Sequence, residues 1–162
     1  MTQNQKFDFN ALSTNQKGVL GAALGMLIAL LLPFFEFNDE GISVWELVSG
    51  DIPGMKEMKD ADGFGKLGLA VLIPTLMHFV SHSIYIFIAT IGFVTLTYLN
   101  EFKNKEFHLY ARICAIVVLL NWIVWLWTMN SVGDKSITSV MSVGAYLLLA
   151  SSAAAIYFSR KD

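Results

Sequence analysis

Four long stretches of this chain, residues 18–35, 67–99, 113–133 and 136–159, contain no Asp, Glu, Lys or Arg. Such a run leaves its backbone few options. In hydrocarbon every N–H and C=O must find an internal partner, and an α-helix supplies all of them within the segment. A bilayer core about 30 Å thick takes roughly 20 residues of helix, so each stretch reads as a spanning helix. Composition agrees: 55% of residues are hydrophobic, 15% are charged and the mean hydropathy is +0.56, well beyond a soluble domain. The expectation is one all-α domain covering residues 1–162. It is an integral membrane protein, a four-transmembrane-helix bundle with a helical external loop, residues 36–66, between helices 1 and 2.

The first stretch follows a polar start with Lys6 and Lys17, as a secretory signal would. Pro33-Phe34-Phe35 stands after Leu32 where a small-residue cleavage site would be needed, so the helix reads as retained. The second stretch is longer than one crossing requires and too short for two crossings and a turn. Pro74 lacks an N–H and crowds the preceding turn, which predicts a kink, a break or an overhang before about His78. Residues Asn130 to Ser136 are rich in turn formers and predict a hairpin between the last two helices.

Basic residues give the orientation, because Lys and Arg near span ends are retained in the cytoplasm. Lys6, Lys17, Lys103, Lys105, Arg112, Arg160 and Lys161 fall on one side, and Lys56, Lys59, Lys66 and Lys135 on the other. The first side is therefore cytoplasmic, with both termini, in what reads as a bacterial inner (plasma) membrane. The external loop carries three lysines among eight acidic residues. Tyr98, Tyr110 and Tyr157 fall at the inner boundary and Trp125 and Trp127 at the outer one, as interfacial anchors.

Within the loop, Ser43-Val44-Trp45-Glu46 has the spacing of a capping box, with Gly50 as a stop. Asp51 and Pro53 predict a second short helix carrying Met55 and Met58 on one face. Trp45, Leu47, Val48, Ile52, Met55 and Met58 give the loop more apolar surface than a solvated linker needs. It therefore caps its own bundle or offers a partner-binding surface. Gly21 and Gly25 form a Gly-x-x-x-Gly motif continued by Ala29, which allows close helix approach within the chain or to a partner.

Four groups of residues are candidates for chemistry. His78 and His82 share a helix face, the spacing that brings two imidazoles to one metal ion, and Glu36 at a similar height offers a carboxylate. The bland alternative is a pair of hydrogen bonds across the bundle, and i, i+4 histidines cannot be opposite axial ligands of one haem. The same face continues through Tyr85, Ala89 and Gly92 as a stripe that should face protein. Asn121, mid-way along the third span, must face the interior with Cys114, Val117, Trp125 and Thr128 on roughly its side. Asp60-Ala61-Asp62-Gly63 is a fragment of a calcium loop without the remaining acidic ligands.

Cys114 is the only cysteine, so no intrachain disulfide forms. The net charge of −2 argues against nucleic acid as a partner. No phosphate loop, His-Glu-x-x-His, Gly-x-Ser-x-Gly or Cys-x-x-Cys is present. The expectation is a protein that is not an enzyme and needs no cofactor: a non-catalytic membrane accessory or assembly subunit. It would dock to other membrane subunits, or to itself, through helix faces and the acidic loop. A self-associating channel or carrier for a small cation, lined by Asn121, and a metal- or haem-binding redox component using His78 and His82 are the alternatives.

Overall fold

A computed structural model describes residues 9–37, 40–50, 63–103, 106–132 and 141–159. After a 3-10 turn, Phe9–Ala11, the elements are α1 (Thr14–Leu31), β1 (Pro33–Phe37), β2 (Glu40–Ser43), α2 (Val44–Ser49), α3 (Gly63–Lys103), α4 (His108–Val132) and α5 (Val143–Phe158). Of the described residues 85% are helical, and α1, α3 and α4 are long and apolar enough to cross a membrane. The fourth apolar helix, α5, has 16 residues. At 1.5 Å per residue it is about 24 Å long.

The first helix starts earlier and stops sooner than residues 18–35. Ser13 caps it: Gln16 N donates to Ser13 Oγ (3.2 Å), and Ser13 N donates to Gln16 Oε1 (2.9 Å). At the other end Pro33 pushes Leu32 into an extended conformation (φ −82°, ψ 153°), so the chain leaves the helix. Pro33, Phe34 and Phe35 then belong to a strand rather than to the first helix, a short addition to a mostly helical bundle: β1 and β2 make an antiparallel hairpin. A register shift between Pro33 and Phe35 marks a bulge, and both Phe34 and Phe35 are buried. On its other side β1 meets the start of the last helix, through a bridge from Phe35 to Met141 and a bond from Ser142 N to Phe34 O (3.1 Å). The last helix therefore begins at Val143 rather than near residue 136.

The expected capping box forms at α2. Glu46 N donates to Ser43 Oγ (3.1 Å) and Ser43 N donates to Glu46 Oε2 (2.7 Å). Gly50 ends the helix with φ +79°, a conformation that glycine adopts without cost. The second loop helix, with Met55 and Met58, and the acidic residues Asp60 and Asp62 lie outside the described residues, as does most of the expected turn between the last two spans. Asn130, Ser131 and Val132 belong to α4, not to that turn. At Pro74 the helix does not break: α3 runs unbroken for 41 residues. A proline ring displaces one hydrogen bond without forcing the rest of the ladder apart.

The four long helices pack in a closed ring, α1 on α3, α3 on α4, α4 on α5 and α5 on α1, with the α3–α4 and α1–α5 seams the most extensive. Neighbours run antiparallel. Gly18 meets Phe158 while Gly144 meets the carbonyls of Leu32 and Pro33, and His78 meets Thr128 while Gly92 meets Cys114. One end of the bundle therefore carries the start of α1, the α3–α4 connection and the end of α5; the hairpin closes the other. Inward positions recur in steps of three and four. Phe79, Ser83, Ile86, Thr90, Phe93, Thr97 and Asn100 are buried on α3, and Ala111, Ala115, Val118, Trp122 and Trp125 on α4. That is the spacing of knobs packing into holes.

Small residues set the closest approach, and they divide the Gly-x-x-x-Gly motif. Gly25 sits directly on Ser151 of α5, whereas a side chain on Gly21 would meet none of the described residues within 4 Å. Replacing Gly25 by leucine forces α1 and α5 apart and should cost about 1–3 kcal/mol, read as earlier unfolding of the detergent-solubilised protein. Gly21→Leu should leave the unfolding midpoint unchanged apart from a small helix-propensity gain.

Candidate functional site

Four polar side chains of α3 and α4, those of His78, His82, Asn121 and Thr128, meet on the seam between the two helices toward the hairpin. His78 and His82 are one turn apart with ring centres 4.4 Å apart and planes at 74°. Each is tied to α4 by one nitrogen: His78 Nε2 lies 3.0 Å from Thr128 Oγ1, and His82 Nδ1 lies 2.8 Å from Asn121 Oδ1.

The proton positions follow from the second partners. Thr128 Oγ1 donates its hydrogen to Val124 O (2.9 Å), so toward His78 it accepts, and Nε2 of His78 carries the hydrogen. Asn121 Nδ2 donates to Val117 O (2.9 Å), which turns the amide oxygen toward His82 and places that hydrogen on Nδ1. The two histidines are thus opposite tautomers, and the remaining nitrogens, Nδ1 of His78 and Nε2 of His82, each keep a lone pair that takes no hydrogen bond from the described residues. His78 is exposed and His82 half-buried.

Aromatic rings wall this end. Trp125 lies 4.8 Å from Phe34, 5.7 Å from Phe35 and 5.8 Å from Phe79, centre to centre. It is 1% exposed, so it is a core residue under the hairpin and not the interfacial anchor its position in sequence suggests; Trp127 is the exposed one of the pair. The physical reason is phase: Trp125 falls on the inward heptad positions of α4 and Trp127 does not.

The other candidates fall as follows. Glu36 lies exposed on β1, beside the inward-facing Phe35, and does not join the imidazoles. Among the described residues no three His, Cys, Asp or Glu side chains are close enough to share a metal ion. Of the expected stripe, Ala89 is buried and Gly92 faces Cys114 Sγ, while Tyr85 is largely exposed with its ring 6.5 Å from His82. In the loop Leu47 is buried and Val48 packs against the core, so α2 caps the bundle; Trp45 is half-exposed, its ring 5.9 Å from Phe87. Met55 and Met58 lie outside the described residues.

Two features escaped the sequence reading. The pairing of Thr128 with His78 escaped because the two lie fifty residues apart in sequence. The hydroxyl series Ser83, Thr90 and Thr97 was legible as a seven-residue repeat within an apolar run, and all three are buried on the inner face of α3. Among the described residues, Oγ1 of Thr90 and of Thr97 has no hydrogen-bond partner. At the opposite end of the bundle Gln16 Nε2 donates to Glu101 Oε2 (2.7 Å), and Phe107 N donates to Asn100 Oδ1 (2.7 Å), closing the α3–α4 connection.

Comparison with protein-family models, curated proteins and solved structures gives no match to this chain.

Two outcomes are expected. Asn121→Leu leaves the His82 N–H unpaired and should cost about 1–3 kcal/mol. In a double-mutant cycle with His82→Leu, a coupling of about 1 kcal/mol or more is expected, measured by equilibrium unfolding in detergent. Thr90→Val removes a buried hydroxyl that has no partner while keeping its shape, so the same measurement should show equal or higher stability.

Proposed function

We propose that this protein is an integral membrane bundle of four spanning helices. In this reading the hairpin end faces outward, both termini lie in the cytoplasm of a bacterial plasma membrane, and the protein serves as a non-catalytic accessory or assembly subunit. What supports membrane embedding is the apolar outside of a bundle whose inside is already filled with apolar side chains. Leu24, Ile28, Ile84, Ile88, Ile116 and Ile123 are exposed on its outside, while Met26, Ile86, Phe93 and Leu148 are buried within, with Ser83, Thr90, Thr97 and Ser152 among them. In water this distribution would leave a large apolar surface exposed, and in lipid it costs nothing. At about 24 Å, α5 falls short of a bilayer core, so β1, joined to its start and paired on both edges, completes the crossing at the interface.

The docking role rests on one observation. The outer face of α1 presents Gly21 as an open notch beside the exposed Leu24 and Ile28, a surface on which a second helix can approach closely. Half-exposed Trp45 offers an anchor at the hairpin end. Asn121, the residue a cation route would need as a lining group, has both ends of its amide engaged in the seam, which favours docking over conduction.

A photoreactive residue placed at Gly21 or Leu24 in native membranes should yield one crosslinked adduct of defined mass, and one placed at Val118, buried inside the bundle, should yield none. A chain that remains uncrosslinked and monomeric in mild detergent removes the docking role. Protease digestion of the C-terminus from outside sealed cells reverses the orientation.

A further inference from the structure

We propose that His78 and His82 form a two-imidazole site for one divalent transition-metal ion. The ion would be held by Nδ1 of His78 and Nε2 of His82, with water completing its coordination. This inference does not depend on the docking role.

The hydrogen bonds of the seam carry it. A metal takes the lone pair of a neutral imidazole, and the opposite N–H of a ligating histidine is almost always donated to an oxygen that fixes the ring and its tautomer. Both histidines already have that arrangement. Thr128 Oγ1 takes the N–H of His78 and Asn121 Oδ1 takes that of His82, so the nitrogens left open are the two that a metal needs. The α4 helix therefore supplies the orienting groups and α3 the ligands.

Ring spacing agrees. Metal–nitrogen bonds of about 2.0–2.1 Å at a cis angle put two imidazole centres about 4.5–5 Å apart. The observed 4.4 Å needs only a small adjustment.

Access is available, because His78 is exposed and stands at the start of the apolar segment Met77–Lys103, at the hairpin end of the bundle. Imidazole nitrogens select copper, zinc or nickel over magnesium or calcium, and copper(II) binds tightest of the first-row divalent ions. Glu36 has no place in this site, and the affinity therefore depends on the two rings.

The test is a copper(II) titration of the full chain, free of any polyhistidine tag, in detergent micelles, followed by electron paramagnetic resonance. The expected result is one tight ion per chain with hyperfine splitting from two imidazole nitrogens. His78→Asn and His82→Asn should each weaken binding at least tenfold and leave one nitrogen in the spectrum. Asn121→Leu should keep both nitrogens and weaken binding roughly tenfold, because it removes only the orienting acceptor. His108→Asn, at the far end of the bundle, should change nothing. Tight binding that persists in the His78→Asn, His82→Asn double variant overturns the proposal, as does loss of the signal in His108→Asn alone.

A measurement on the unaltered chain stands apart from any folding defect. Zinc(II) added to protein labelled with nitrogen-15 at histidine should shift Nδ1 of His78 and Nε2 of His82. A shift at neither nitrogen, or only at His108, overturns the assignment.

Discussion

Close backbone approach between antiparallel helices is the constraint on which this structure depends, and small side chains make it possible. Gly18, Gly25 and Gly144 sit where the facing helix or strand leaves no room for a side chain, and Ala22, Ala29, Ala145 and Ala155 are buried with them. At Gly144 an added methyl would lie 2.6 Å from the carbonyl oxygen of Pro33, so the start of α5 is held against the end of α1. In the membrane-embedded reading proposed above, burial of apolar surface between helices supplies little attraction. Dispersion at short range and interhelical hydrogen bonds have to supply it instead.

The hairpin follows from the same constraint. Once Pro33 has ended α1, the chain has exposed N–H and C=O groups at one end of an apolar bundle. They are satisfied in turn by β2, by Met141 and by the N–H of Ser142. The bulge lets Phe34 and Phe35 both pack inward, where they close over Trp125 and Phe79. The capping box of α2 then brings Val44 and Leu47 onto the bundle as a lid.

The α3–α4 seam shows how a polar pair is retained in such surroundings. Each imidazole has one N–H donated to an oxygen on α4, and the side chain that accepts it donates in turn to a backbone carbonyl of its own helix. Trp122 adds a bond of the same kind on the other side of α4, donating from Nε1 to Ala145 O (3.0 Å). Polar groups thus fix the rotation of α4 against both neighbours, which dispersion alone would define poorly.

Much of the architecture was legible because it is local. Uncharged runs gave four apolar helices to within several residues, Ser43 and Glu46 gave α2, and the i, i+4 spacing gave the shared face of the two histidines. The β-hairpin was not legible: Phe34 and Phe35 are as compatible with a helix as with a strand, and their pairing partners lie up to a hundred residues away. The unbroken course of α3 past Pro74 was equally hidden, since a proline marks a lost hydrogen bond without saying whether neighbours hold the helix together. Sequence by itself determined which segments must coil and which residue types each face carries, because backbone satisfaction and residue spacing are properties of a single segment. Only the tertiary structure decided that Gly25 packs inside while Gly21 faces out, that Trp125 is core, and which nitrogen of each imidazole stays open. Each of those depends on the rotation of one helix against another, which no single segment contains.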